Sequence, residues 1–151
     1  VLGRDGSRLP RDVFWLAAIA LFAGAVADAC DARLRDMLTE LLLPCADHVV
    51  VFGVGGAVFG TGHHWIGTLA TVRGDTDLAV EQLTRAVQLS ERIGAPYWSA
   101  HARLELARAL ARRHDRDDGA TIRSLTDAAV ACAHAGGYGR ILQRADRLGP
   151  T

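Results

Sequence analysis

HHWIGTLATVRGDTDLAVEQLTRAVQLSERIGAP, residues 63–96, is the stretch whose reading decides the fold. Apolar residues recur at helical spacing on both sides of Gly74-Asp75, so two helices, 63–73 and 78–93, fold back on one another across a tight turn. Gly67, Ala70, Ala79 and Ala86 fall where the two backbones approach most closely, with Ile66 and Leu83 as fillers. Close crossings need small residues at such points and larger ones around them. Gly94 is placed to end the second helix in a left-handed cap, with Pro96 beyond it.

Working outward, the same design is expected twice more. Asp12 caps a first helix over about 13–29, followed by a turn at Cys30-Asp31 and a helix over 32–43 that Pro44 stops. Downstream, 97–113 and 120–135 form a pair across the charged turn HDRDDG, and 138–148 adds a terminal amphipathic helix. The expected architecture is all-α, about seven helices in one domain. Antiparallel pairs over about 12–43, 57–93 and 97–135 stack as a short right-handed solenoid. VVVFGVGGAVFGTG, within 49–62, reads as an apolar, glycine-rich connector leading to a helix near Gly56, because a single strand would lack a partner.

Composition narrows function by exclusion. The chain has 151 residues, half of them apolar, and its 17 basic and 17 acidic side chains cancel. Every basic residue is arginine. Neutrality removes the field expected of a module that binds nucleic acid through many phosphate contacts. Residues 13–27 carry no fixed charge before Asp28, yet fifteen helical residues rise only about 22 Å, short of a bilayer core. No membrane span is expected. Cys30, Cys45 and Cys132 are widely spaced and odd in number, which fits reduced thiols in a cytoplasmic protein.

The small-residue spacing resembles the tetratricopeptide repeat, whose pattern is Trp-x2-Leu-Gly-x2-Tyr followed by Ala-x3-Phe, Ala and Pro. His63, Ile66, Gly67, Ala70, Ala79, Leu83 and Ala86 carry the match, with the aromatic positions replaced. Weaker copies place Ala23 in the first pair and Ala107, Leu125 and Ala128 in the third. These registers are spaced more widely than the family's roughly 34 residues. The longer stretch, with LLLPCADHVVVFGVGG and ERIGAPYWSAHARLELA as its most specific pieces, resembles the repeat region of large actinobacterial regulators. Those proteins join an ATPase module to helical repeats and sometimes to a LuxR-type DNA-binding domain. The resemblance implies a regulatory, protein-interaction role in transcription or signal transduction, with ATP and DNA handled elsewhere.

No catalytic constellation emerges. GVGGAVFGTG lacks the Lys-Ser/Thr of a P-loop, and Val58 stands at the last glycine of a dinucleotide fingerprint. His63 and His64 point about 100° apart on a helix and do not chelate one ion. No cofactor, metal or catalytic residue is expected. In stacked helix pairs the first helix of each pair lines a concave groove. Counting from Ala23, Gly67 and Ala107 puts Asp28, then His64, Thr68 and Thr71, then His101, Arg108 and Arg112 on that face. Arg108 and Arg112, one turn apart, form an expected fork for a partner's carboxylate. The expected partner is a protein or peptide, including other domains of a parent chain. A small-molecule effector between the connector and the third pair, and self-association of two copies through the apolar first helix, stand as alternatives.

Overall fold

The computed structural model describes residue 12 and residues 14–26, 31–53 and 55–148. Asp28 and Cys30, for which a groove position and a turn were expected, lie outside the described residues. Within them are seven helices and one small sheet: α1 Trp15–Val26, α2 Ala32–Leu42, β1 Val49–Phe52, β2 Ala57–Thr61, α3 Gly62–Arg73, α4 Thr76–Arg92, α5 Pro96–Arg113, α6 Gly119–Gly136 and α7 Gly139–Leu148. A 3-10 turn at Leu43–Cys45 carries Pro44 past the end of α2.

The central pair forms for the reasons its sequence contains. Thr61 caps α3 by accepting from the His64 amide. Gly74 at φ 82 ends it, and the Asp75 amide returns to the Ala70 carbonyl at 3.0 Å. Asp75 then accepts from Leu78 N–H to cap α4. Gly67 sits so close to α4 that a Cβ there would fall 2.5 Å from Leu83 Cγ. Ala70, Ala79, Leu83 and Ala86 are fully buried, as is Ala23 in α1 and Ala107 in α5.

Ala128 is a correction. It is exposed, and Ile122, Ala129 and Ala133 are the residues α6 buries. The turn before α6 contains a 3-10 segment, Arg116–Asp118, which shifts the helix by one position relative to the central pair. Asp118 is not on an open turn either. It is buried and takes a two-pronged grip from Arg113 at 2.6 and 2.9 Å.

The glycine-rich connector is the larger correction. It holds a pair of strands where a connector without strands was expected, and the helix begins at Gly62 instead of near Gly56. β1 and β2 pair antiparallel in the register Val49↔Thr61, Val51↔Val58, Phe52↔Ala57, with an irregularity between Val49 and Val51. Gly53 and Gly55, at φ 62 and 96, make the reversal. The hairpin is fastened by two indoles. Trp65 Nε1 on α3 donates to the Phe59 carbonyl at 2.7 Å, and Trp98 Nε1 on α5 donates to the Val58 carbonyl at 2.8 Å. Gly60 lies against the Trp98 ring, where a Cβ would come within 2.9 Å. The Trp98 indole thus stands between the hairpin and α5. Trp98→Phe removes one of these anchors and is expected to cost about 1 kcal/mol. Amide exchange should quicken across 49–61 while α6 keeps its protection; uniform acceleration would show that the indole does not hold the hairpin specifically.

Three buried clusters follow one another along the chain. The first joins α1, α2, β1 and α3. The second joins α3, α4, α5 and α6, and the third joins α5, α6 and α7. Each helix from α3 to α6 packs chiefly on its sequence neighbours, while the alternate helices α1, α3, α5 and α7 also touch in series. No helix among the described residues is long and apolar enough to cross a membrane.

Candidate functional site

The side formed by α3, α5 and α7 gathers the polar side chains that sequence reasoning sought, in an arrangement different from an open groove. Three cross-links join these helices. Arg112 Nη1 donates to the Thr71 carbonyl at 2.8 Å, 41 residues away. His101 Nδ1 and His64 Nε2 share a hydrogen bond at 2.9 Å across 37 residues. Arg144 Nη1 donates to Glu105 Oε1 at 2.8 Å across 39 residues.

Of the seven expected groove residues six are described, and four of those are interior. His64, Thr68, Thr71 and His101 are buried, and both threonine hydroxyls turn back onto their own helix, to the carbonyls of His64 and Gly67 at 2.8 Å. Their burial goes with the direct contact of α3 and α5. Arg108 and Arg112 do not form a fork. Arg112 is committed to Thr71, and Arg108 Nη1 lies 3.6 Å from Glu105 Oε2.

The histidine pair sits in an aromatic nest. His64 meets Trp65 and Trp98 edge-on at 5.0 and 5.4 Å, and Tyr97 stacks over His101 at 6.2 Å. Burial pushes His64 down to about 3, with the Arg144 charge acting the same way. His101 is held well below the usual histidine range by burial, then by His64 and Arg144. Both rings are thus neutral near pH 7. His64 Nδ1 is buried without a hydrogen-bond partner. The arrangement in which His64 Nε2 donates to His101 leaves Nδ1 as a bare acceptor and avoids an orphaned N–H.

His63 faces the other way, and its ring is spanned at both ends. Nδ1 meets Gln82 Oε1 at 2.7 Å and Nε2 meets Asp47 Oδ1 at 2.8 Å. This hydrogen bond, with the His63 charge, lowers the Asp47 carboxyl.

Beside the aromatic nest, α5 and α7 leave a cleft of about 310 Å³, lined by Leu104, Glu105, Arg108, Arg144, Arg147 and Leu148. A second hollow of about 220 Å³ shares Arg144 and Arg147 and adds Tyr97, Arg140 and Gln143. Sequence reasoning missed α7 here. Its arginines at 140, 144 and 147 follow one helical stripe, a spacing visible in the sequence but not linked to α5 without the fold.

Cys45 and Cys132 are free and half-buried. Among the described residues, no three His, Cys, Asp or Glu side chains are grouped to hold a metal ion. No family model matches the chain, and no curated protein or solved structure matches it. The class defined by the fold itself is that of mostly helical chains, here seven helices with one two-stranded hairpin.

Proposed function

We propose that this chain is a short solenoid of stacked helix pairs, tetratricopeptide-like, that works as a non-catalytic protein-interaction or regulatory module. The supporting observation is the series of cross-links between alternate helices. Thr71–Arg112, His64–His101 and Glu105–Arg144 recur at separations of 41, 37 and 39 residues. Such near-regular offsets are what a repeated helix pair produces when each first helix stacks on the next. The buried histidines are neutral and enclosed, so they serve packing, and the α5–α7 cleft is the surface taken here for a partner. In a larger transcriptional or signalling protein of the cytoplasm, a polypeptide laid there would couple this module to its neighbours.

A photo-activated crosslinker tests the proposal in the full chain in its host cell. Placed at Gln143, which lines the second hollow, it should yield discrete crosslinks to polypeptide. Placed at exposed Ser124 on α6, it should not. Equal capture at both positions, or none at Gln143, would overturn the assignment.

A further inference from the structure

The α5–α7 cleft carries a chemical preference. We infer that it takes an extended acidic polypeptide segment in which carboxylates alternate with an aliphatic side chain; this deepens the interaction-module reading and rests on it.

Four arginines, Arg108, Arg140, Arg144 and Arg147, line the cleft and its continuation against one carboxylate, Glu105. That local excess of positive charge stands out in a chain whose formal charge is zero. Asp146, on the same helix, lines neither hollow. Arg140 and Arg147 make no ion pair among the described residues, and both are exposed. Their guanidinium groups are positioned by a helix and committed to nothing within the fold.

The chain itself shows which anion the site accepts. Glu105 is only 4 % exposed, and its carboxylate binds Arg144 at 2.8 Å while lying 3.6 Å from Arg108. An internal carboxylate already occupies the deep end and fixes the direction of two arginines. The buried member of the pair is Glu105, while the Arg144 side chain stays half-exposed and reaches from the carboxylate toward the opening. The outer arginines then face the opening with their charge unspent.

Shape selects a chain over a compact anion. Arg140 and Arg147 are seven positions apart, so they are separated along the helix by about 10 Å. An extended peptide advances about 3.3 Å per residue, so carboxylates two and four positions apart, about 7 and 13 Å, bracket that spacing within the reach of the long arginine side chains. A single phosphate engages only one end. Leu104 and Leu148 add an apolar side to the cleft, suited to an aliphatic side chain. Arginine's planar fork pairs well with carboxylates in such a partly dry site.

The test uses the full chain and a fluorescent peptide, Asp-Leu-Glu-Leu-Asp, with its Lys-Leu-Lys-Leu-Lys counterpart and inorganic phosphate as comparison arms. The acidic peptide should bind at least about tenfold more tightly than the basic one, and affinity should fall as salt is raised. Arg140→Glu with Arg147→Glu should weaken it by a further tenfold or more, without shifting the thermal midpoint. Arg123→Glu, on exposed α6, should change nothing. Equal affinity for both peptides, unchanged binding by the double variant, or displacement by millimolar phosphate would overturn the inference. If the peptides fail while Gln143 still crosslinks to polypeptide, the acidic preference falls and the interaction module stands. If both fail, the module falls too.

Discussion

Acidifying the protein from pH 7 to pH 4 should destabilise it steeply, and two buried histidines should account for much of the slope. His64 titrates at about 3 in the folded chain against 6.5 when exposed. Between those values the unfolded chain binds a proton that the folded one refuses, so stability rises with pH across that window and is lost as pH falls. For His64 alone the loss by pH 4 is about 3 kcal/mol. His101, also held well below its ordinary range, adds with the same sign. Asp47 works in the same direction at more acid pH, because its lowered carboxyl stabilises the fold only while ionised. Urea unfolding midpoints measured from pH 7 to pH 4 would check this. His64→Gln should flatten the dependence whatever it does to absolute stability, whereas His48→Gln, at an exposed site, should leave it intact. An unchanged slope in His64→Gln would show that the pair is not the titrating element.

The second large effect is expected at the α3–α4 contact. Gly67→Ala should cost about 2 kcal/mol, although alanine is the better helix former by roughly 1 kcal/mol. The reason is steric: the new methyl would lie 2.5 Å from Leu83 Cγ and 3.2 Å from the Leu83 amide nitrogen. Gly139→Ala is the matched control, since nothing lies within 4 Å of its would-be Cβ. It should be neutral or slightly stabilising. In a Leu83→Ala background, itself costly through the cavity it leaves, the penalty of Gly67→Ala should largely disappear. Denaturant melts of the four variants decide the matter. Equal losses with and without Leu83 would mean that helix crowding is not what glycine relieves here.

The helices were legible because their signals are local. Gly67, Ala79, Leu83 and Ala86 announce a close crossing through spacing alone, and Gly74, Asp75 and Pro96 mark the ends. The hairpin was missed for a definable reason. Val49 to Gly62 was weighed as a single strand, while Gly53 and Gly55 divide it into two that satisfy each other's ladder. Ala128 went astray because a 3-10 turn before α6 moved the buried stripe to Ala129 and Ala133. The spacing put His64 and His101 on one face, and the two rings do meet, but it says nothing of how tightly those helices stack. Close stacking turned an expected binding face into an interior one. Arg144 escaped notice because its partner Glu105 is 39 residues away, and nothing in either neighbourhood anticipates the meeting.

The serial order of the three buried clusters has a consequence for biosynthesis. Each is walled by elements that leave the ribosome one after another, so an upstream cluster can consolidate while the codons for the next are still being read. The exception is the indole of Trp98, which reaches back 40 residues to Val58. Until α5 has emerged, the hairpin rests on α1 and on the Trp65 indole alone, so its fastening is completed only after the first cluster has formed.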